Sequence, residues 1–155
     1  RARTWAIFLV AISSGALRFS AAPVVAAEID NEDPVDVVVL VDESSSLSSA
    51  AVRAEKDALR EIIQSPEIED RGIRVAVLPF SSGESSPRRV DSCAFVKIER
   101  GPESKSDLME CADQIVKQGN RGNSDTDFAS AIGGALETFD RSEASKVILL
   151  MTDGK

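Results

Sequence analysis

The sequence has 155 residues, of which 43% are hydrophobic and 28% charged, and its 18 basic and 26 acidic residues give a formal net charge of -8. This length and composition are typical of one soluble globular domain, and the acidic balance argues against a protein that binds the phosphate backbone of nucleic acids. The chain has no histidine, which excludes a Ser-His-Asp or Cys-His triad and any histidine-ligated zinc within these residues.

The amino-terminal residues have the pattern of a secretory signal peptide. A short basic start precedes an apolar run over Trp5–Leu17, and small residues follow as far as Val25-Ala26-Ala27. The pattern predicts a signal peptide over residues 1–27, outside the folded domain and cleaved before Glu28, and then a short acidic linker over residues 28–34. The alternative is a membrane anchor that is retained. Export would make the mature protein secreted or attached to the cell surface.

The chain contains two cysteines, Cys93 and Cys111. Export would place them in an oxidising compartment, where two cysteines can pair. A disulfide that closes a loop of this size is expected to stabilise the fold by about 3 kcal/mol. The alternative is a pair of buried free thiols. Neither cysteine belongs to a CxxC motif, so metal or redox chemistry is not expected there.

Strand-like apolar runs alternate with helix-like patterns from residue 35 onward. This alternation predicts an α/β fold with three layers, in which helices flank a Rossmann-like, mainly parallel central sheet. The third helix has Phe128, Ile132, Leu136 and Phe139 on one side, and its Gly133-Gly134 pair suggests the close approach of another backbone. The predicted strands are Val35–Val41, Ile73–Pro79, Ala94–Ile98 at a sheet edge and Lys146–Met151, and the predicted helices are Ala51–Ile63, Asp107–Gln118 and Phe128–Phe139.

Polar residues follow two of these strands and precede the third helix. Asp42-Glu-Ser44-Ser-Ser46 follows the first strand, Ser124-Asp-Thr126-Asp127 precedes the third helix, and Thr152-Asp153-Gly154 follows the last strand. In a parallel sheet such loops converge at the carboxyl ends of the strands. Their donors are all oxygen atoms, which favours Mg²⁺, Ca²⁺ or Mn²⁺ over zinc or copper. Taken singly, each segment also fits a turn or a helix cap.

The three segments together resemble a known family. Asp42-x-Ser44-x-Ser46 after a hydrophobic strand resembles the opening of a von Willebrand factor type A domain, and the similarity extends over residues 35–155. The segment Thr126-Asp-Phe-Ala-Ser-Ala-Ile132 resembles the threonine loop of that family, and Leu149-Leu-Met-Thr-Asp153-Gly154 resembles its aspartate loop. These loops form the family's metal-ion-dependent adhesion site, and the chain is similar to exported members of bacterial type.

The resemblance implies a role for each matching residue. Ser44, Ser46 and Thr126 would contact the metal through their hydroxyl oxygens, and Asp42 and Asp153 would bind it directly or through water. The cation is expected to be Mg²⁺, with Mn²⁺ or Ca²⁺ as alternatives. In the family an open coordination position takes an acidic side chain of a protein or matrix partner. The implied function is thus adhesion or interaction rather than catalysis.

Several expectations accompany this interpretation. Glu43 and Asp127 are expected to be solvated neighbours of the site rather than ligands. The sheet of the family continues beyond the aspartate loop, and this sequence begins without Met and stops at Lys155. We therefore expect a chain truncated at its carboxyl end, with an open edge on its last strand. A membrane anchor in the part that would follow is possible.

Two alternatives to a metal-dependent adhesion module remain. One is an interaction domain of the same fold whose metal site has decayed. The other is a Mg²⁺-dependent phosphatase of the haloacid dehalogenase type, which also places an Asp after a buried first strand. That family requires a second Asp two residues later, and here the position is Ser44. Without that acid and without histidine, a group for proton transfer is missing.

Overall fold

Within the residues that the computed structural model describes, six strands and three helices form the domain. The described residues are 5–13, 16–17, 34–66, 68, 73–81, 93–97, 103–115 and 127–152. The strands are β1 (Trp5–Ser13), β2 (Ala16–Leu17), β3 (Val35–Asp42), β4 (Arg74–Phe80), β5 (Val96–Lys97) and β6 (Ser145–Thr152). The helices are α1 (Ser49–Gln64), α2 (Glu103–Gln114) and α3 (Phe128–Thr138).

The strands form one sheet in the order β2-β1-β6-β3-β4-β5. The four inner strands run parallel to one another, and the two-residue strands β2 and β5 pair antiparallel at the edges. The predicted α/β fold with a mainly parallel sheet is therefore confirmed. The register pairs Asp42 with Phe80 of β4 and Val41 with Met151 of β6. Asp42 thus lies at the carboxyl end of the central strand, between the ends of its two neighbours.

Both faces of β3 are buried, as expected for a strand with almost no polar residue. Because side chains alternate along a strand, its two faces contribute to two separate clusters. Val37, Val39 and Val41 pack in the cluster that contains α1 and α2, with Leu59, Ile63, Leu108 and Ile115 among its members. Val38 and Leu40 pack on the opposite side in the cluster that contains α3. The sheet is therefore the middle of three layers.

The sheet-facing side of α3 differs from the prediction. Ala131 and Ala135 are the fully buried residues of this helix, whereas Leu136 is 44% exposed. Small side chains allow the helix to lie close to the sheet, so the larger residues Phe128 and Ile132 pack only partly against the core. Among the described atoms there is also no close approach at Gly133, because a Cβ atom added there would meet none of them within 4 Å.

The disulfide predicted between Cys93 and Cys111 is present, and both residues are fully buried. It connects the segment before β5 to α2, where Leu108 and Ala112 pack in the same cluster. The cross-link therefore holds a helix and an edge segment against one face of the sheet.

The bounds of α2 also differ from the prediction, which placed this helix four residues later along the chain. The first turn, Glu103-Ser-Lys-Ser106, carries no apolar residue, so hydrophobic periodicity cannot reveal it. The apolar side begins only at Leu108 and includes Ile115, which is buried just beyond the end of the helix. Hydrophobic periodicity therefore marks the packed part of this helix but not where the helix begins.

Residues 5–13 and 16–17 of the predicted signal peptide pair with the sheet in the uncleaved chain. Strand β1 pairs in parallel with β6 from Trp5 beside Lys146 to Ala11 beside Thr152. The edge of β6 that was expected to be open is therefore covered. An unpaired edge offers N–H and C=O groups to any strand-forming segment, and this apolar run is rich in strand-forming residues. The assignment of residues 1–27 as a signal peptide remains a prediction.

A cluster of four charged residues lies at the amino end of the sheet, opposite Asp42. The Asp36 side chain is 0% exposed and accepts hydrogen bonds from Arg74 Nε at 2.8 Å and Arg74 Nη2 at 2.7 Å. Arg141 donates to the same carboxylate through Nε at 3.2 Å and through Nη2. Arg74 also pairs with Asp140, which is largely exposed. The cluster joins β3, β4 and the segment that leads into β6.

Candidate metal centre

The loop after β3 is arranged by short-range hydrogen bonds. The backbone N–H of Ser44 donates to Asp42 Oδ1 at 2.7 Å, which forms an Asx turn at the end of the strand. The N–H of Leu47 donates to the carbonyl oxygen of Ser44 at 3.3 Å, and the Leu47 side chain is fully buried. Ser48 then caps α1 by accepting a hydrogen bond from the N–H of Ala51 at 3.1 Å. The loop is thus held between the sheet and the start of α1.

This turn brings two predicted ligand hydroxyls together. Ser44 Oγ and Ser46 Oγ lie 2.9 Å apart, close enough to share a hydrogen bond. In an octahedral Mg²⁺ site with bonds of about 2.0–2.1 Å, neighbouring ligand oxygens are about 2.8–3.0 Å apart. The observed distance therefore suits two adjacent corners of such a site. Ser44 is almost fully buried, and Ser46 is exposed to solvent.

Thr152, at the end of β6, contacts the same carboxylate. Its Oγ1 donates a hydrogen bond to Asp42 Oδ2 at 2.8 Å, and the two residues are 2% and 1% exposed. Sequence reasoning did not assign Thr152 a role. The available signal was its position. Thr152 is the last residue of a strand that lies beside β3, and it directly precedes Asp153, so it has to lie next to Asp42.

The start of α3 lies near the same edge of the sheet. The rings of Phe80, at the end of β4, and Phe128, the first residue of α3, have centroids 5.9 Å apart. Asp127 is the N-cap of α3 and accepts hydrogen bonds from Ser130 N at 2.9 Å and Ser130 Oγ at 2.6 Å. These bonds hold the pKa of the Asp127 carboxyl below its ordinary value of 3.8, so it carries a negative charge at neutral pH.

The remaining two predicted ligands, Thr126 and Asp153, lie outside the described residues. Their neighbours in sequence, Asp127 and Thr152, are described and belong to elements that reach the edge where Asp42 lies. Among the described residues there is no group of three or more His, Cys, Asp or Glu side chains suited to a metal ion. The part of the site that the structure brings together is thus one carboxylate and two hydroxyls.

Glu43 differs from the expectation of a solvated neighbour, because its side chain is only 1% exposed. Its backbone N–H donates to the carbonyl oxygen of Phe80 at 2.7 Å, which extends the pairing with β4 by one residue beyond β3. Side chains of consecutive residues in extended backbone point to opposite sides. Because this extra pairing keeps the backbone extended, the Glu43 side chain points into the interior on the side opposite that of Asp42. Asp127, by contrast, is exposed as predicted.

The chemistry of the described donors fits a hard divalent cation. A carboxylate and two hydroxyls offer oxygen atoms only, which Mg²⁺ and Mn²⁺ prefer, whereas zinc favours nitrogen and sulfur. These described donors are therefore suited to a cation of this class.

Comparison with known proteins supports the fold. Comparison with curated protein sequences gave no match. A solved structure of proximal thread matrix protein 1 from the mussel byssus is similar, with a TM-score of 0.54 and 22% sequence identity over 79% of this chain. The similar region is 31% of that protein, so this chain spans about a third of its length. At this identity the similarity shows the shared fold.

The sequence also matches a family model. The model of the von Willebrand factor type A domain matches residues 36–155, which include the three polar loops. No helix in the described part of the chain is long and apolar enough to cross a membrane. The match to the family model extends over most of the chain and agrees with the observed order of strands and helices. The chain therefore belongs to the von Willebrand factor type A domain family.

Proposed function

We propose that this domain is a metal-dependent module that binds a protein or an extracellular-matrix partner. Asp42, Ser44, Ser46, Thr126 and Asp153 hold one Mg²⁺ or Mn²⁺ ion at the carboxyl edge of the sheet. Membership in the family supports an interaction module. The observation that carries the metal-dependent part is the convergence of Ser44 Oγ, Ser46 Oγ and a buried Asp42 carboxylate in one turn.

The partner supplies an acidic group to the cation in this proposal. Two carboxylates and three hydroxyls, some of them acting through water, leave a coordination position of an octahedral ion open. The protein itself carries a formal net charge of -8, so its overall charge repels an acidic partner. Attraction of a carboxylate to this face therefore depends on the bound cation.

We also propose that the domain acts outside the cytoplasm. The disulfide between Cys93 and Cys111 is consistent with an oxidising compartment. The basic and apolar pattern of residues 1–27 supports export, with removal of the segment before Glu28. That removal would take β1 and β2 out of the sheet and expose the edge of β6. Mass spectrometry of the secreted protein tests this, and an amino terminus at Glu28 is the expected result.

The test of metal binding is thermal unfolding of the chain with Mg²⁺, with Mn²⁺ and with a chelator. An ion present at 100 times its dissociation constant stabilises a folded protein by about 2.7 kcal/mol. For a domain of this size the midpoint is then expected to rise by about 5–10 °C. Asp42→Ala is expected to abolish the rise, whereas Asp107→Ala, an exposed acid on α2, is expected to retain it.

The test of the acidic partner uses a labelled glutamate-rich peptide and its glutamine counterpart. Binding of the glutamate peptide in Mg²⁺, and its loss with chelator, is the expected result. A midpoint that does not respond to either metal would instead favour the decayed-site alternative. Release of phosphate from p-nitrophenyl phosphate that is lost in Asp42→Ala would favour the phosphatase alternative.

A further inference from the structure

The Asp42 carboxylate is held in place by two protein donors. The Ser44 N–H bonds Oδ1 at 2.7 Å, and the Thr152 hydroxyl bonds Oδ2 at 2.8 Å. Both Asp42 and Thr152 are almost completely buried, so water does not readily replace the hydroxyl. Rotation of the carboxylate would break these bonds, and its orientation is therefore set before any cation arrives.

Thr152 also occupies a particular place in the fold. The parallel register of β3 and β6 pairs Val41 with Met151, so Thr152 is the β6 residue beside Asp42. Asp153, another ligand of the proposed site, follows it directly in the chain. One hydrogen bond therefore links the ends of the two strands from which the two proposed carboxylate ligands extend.

We propose that Thr152 is a positioning residue of the metal site, whose hydroxyl orients the Asp42 carboxylate and fixes the end of β6 beside it. This inference rests on the proposed metal-dependent function. Groups that hydrogen-bond to a metal ligand fix its orientation, and their removal typically lowers metal affinity by about 10–100-fold. Thr152 itself does not ligate the cation.

The variants that separate this role from ordinary packing are Thr152→Val and Thr152→Ser. Valine keeps the shape of the side chain but removes its hydroxyl, whereas serine keeps the hydroxyl. Thr138→Val is the matched control, because Thr138 Oγ1 donates to the carbonyl oxygen of Gly134 at 2.7 Å within α3. That bond involves no residue of the proposed site.

The measurement is Mn²⁺ affinity by calorimetry in the full chain. Thr152→Val is expected to bind Mn²⁺ about 10–100-fold more weakly than the unsubstituted protein, while Thr152→Ser and Thr138→Val stay within about threefold of it. If Thr152→Val does not fold, Thr152→Ala, which removes the hydroxyl without placing a second γ-methyl group against the carboxylate, is expected to show the same loss.

A second measurement does not depend on the metal. In the metal-free protein the Ser44 amide resonance reports its bond to Asp42, and it is expected to move in Thr152→Val but not in Thr152→Ser. Equal Mn²⁺ affinity of Thr152→Val and the unsubstituted protein would overturn the positioning role while leaving the proposed function standing. Failure of the unsubstituted protein to bind Mn²⁺ would overturn both.

Discussion

Asp36 provides the sharpest test of the charged cluster at the amino end of the sheet. Its carboxylate is 0% exposed and accepts four hydrogen bonds from Arg74 and Arg141, which are 18% and 27% exposed. Asp36→Asn keeps the volume and one acceptor oxygen but removes the charge. Loss of one partner from a buried ion pair costs about 3–5 kcal/mol. Because both guanidinium groups reach solvent, we expect the lower end, about 3 kcal/mol.

The assay is urea denaturation at pH 7. Asp36→Asn is expected to lower the urea concentration at the midpoint without changing the slope of the unfolding free energy against urea. The midpoint of thermal unfolding is expected to fall by about 6–12 °C, because each kcal/mol lowers it by about 2–4 °C in a domain of this size. Asp57→Asn is the matched control, since Asp57 pairs with Arg60 on the surface of α1 and is 65% exposed. Little change is expected there. An Asp36→Asn loss below about 1 kcal/mol would refute the expectation that removing this carboxylate leaves the charges of Arg74 and Arg141 poorly compensated.

The same variant has a defined pH dependence. Burial on its own raises the pKa of Asp36, but the hydrogen bonds and charges of Arg74 and Arg141 outweigh it and hold the pKa below the ordinary value of 3.8. A carboxylate with a lowered pKa contributes stability that is fully present above its unfolded pKa and is lost as the pH falls through the folded pKa. The stability difference between the two proteins is therefore expected to be constant near neutral pH and to shrink in acid.

Two further substitutions test the packing of the helices. Gly133→Ala is expected to raise the free energy of unfolding by about 1 kcal/mol, measured by urea denaturation. The added methyl group meets no described atom, and alanine favours a helix more than glycine does. Destabilisation would instead show that another segment of the chain packs there. The double substitution Cys93→Ser with Cys111→Ser is expected to cost about 3 kcal/mol. In the unsubstituted protein thiol labelling under reducing conditions should require unfolding, since both sulfur-bearing residues are fully buried; rapid labelling of the native protein would contradict this.

The general architecture could be predicted because it depends on local patterns. The apolar run that forms β3 is buried along its whole length, and the local sequence from Asp42 to Ser46 predicts the polar turn at its end. The helix that follows begins after Ser48, a residue type that commonly caps helices. These features follow from residues that are close in sequence, so propensity and periodicity are enough to find them.

The features that escaped prediction depend on distant residues. Asp36 is 38 residues from Arg74 and 105 from Arg141, and no local pattern connects them. Thr152 is 110 residues from Asp42, and its role depends on the strand register. The predicted side of α3 did not include the fully buried Ala131 and Ala135, because large apolar residues dominate a periodicity analysis. Pairing of β1 with the open edge expected on β6 was likewise not predicted, because it joins segments near opposite ends of the sequence.

Hydrogen bonds connect strand β3 to β6, or to the residues just ahead of β6, at both ends. At one end Arg141, just ahead of β6, bonds Asp36, and the N–H of Ser145 donates to the carbonyl oxygen of Pro34 at 2.8 Å. At the other end the Thr152 hydroxyl bonds Asp42. Sliding of one strand along the other would break all three contacts, so the two strands form a rigid platform. A structural change at the carboxyl edge that leaves these contacts intact therefore has to occur in the loops, because it cannot proceed by sliding of β3 along β6.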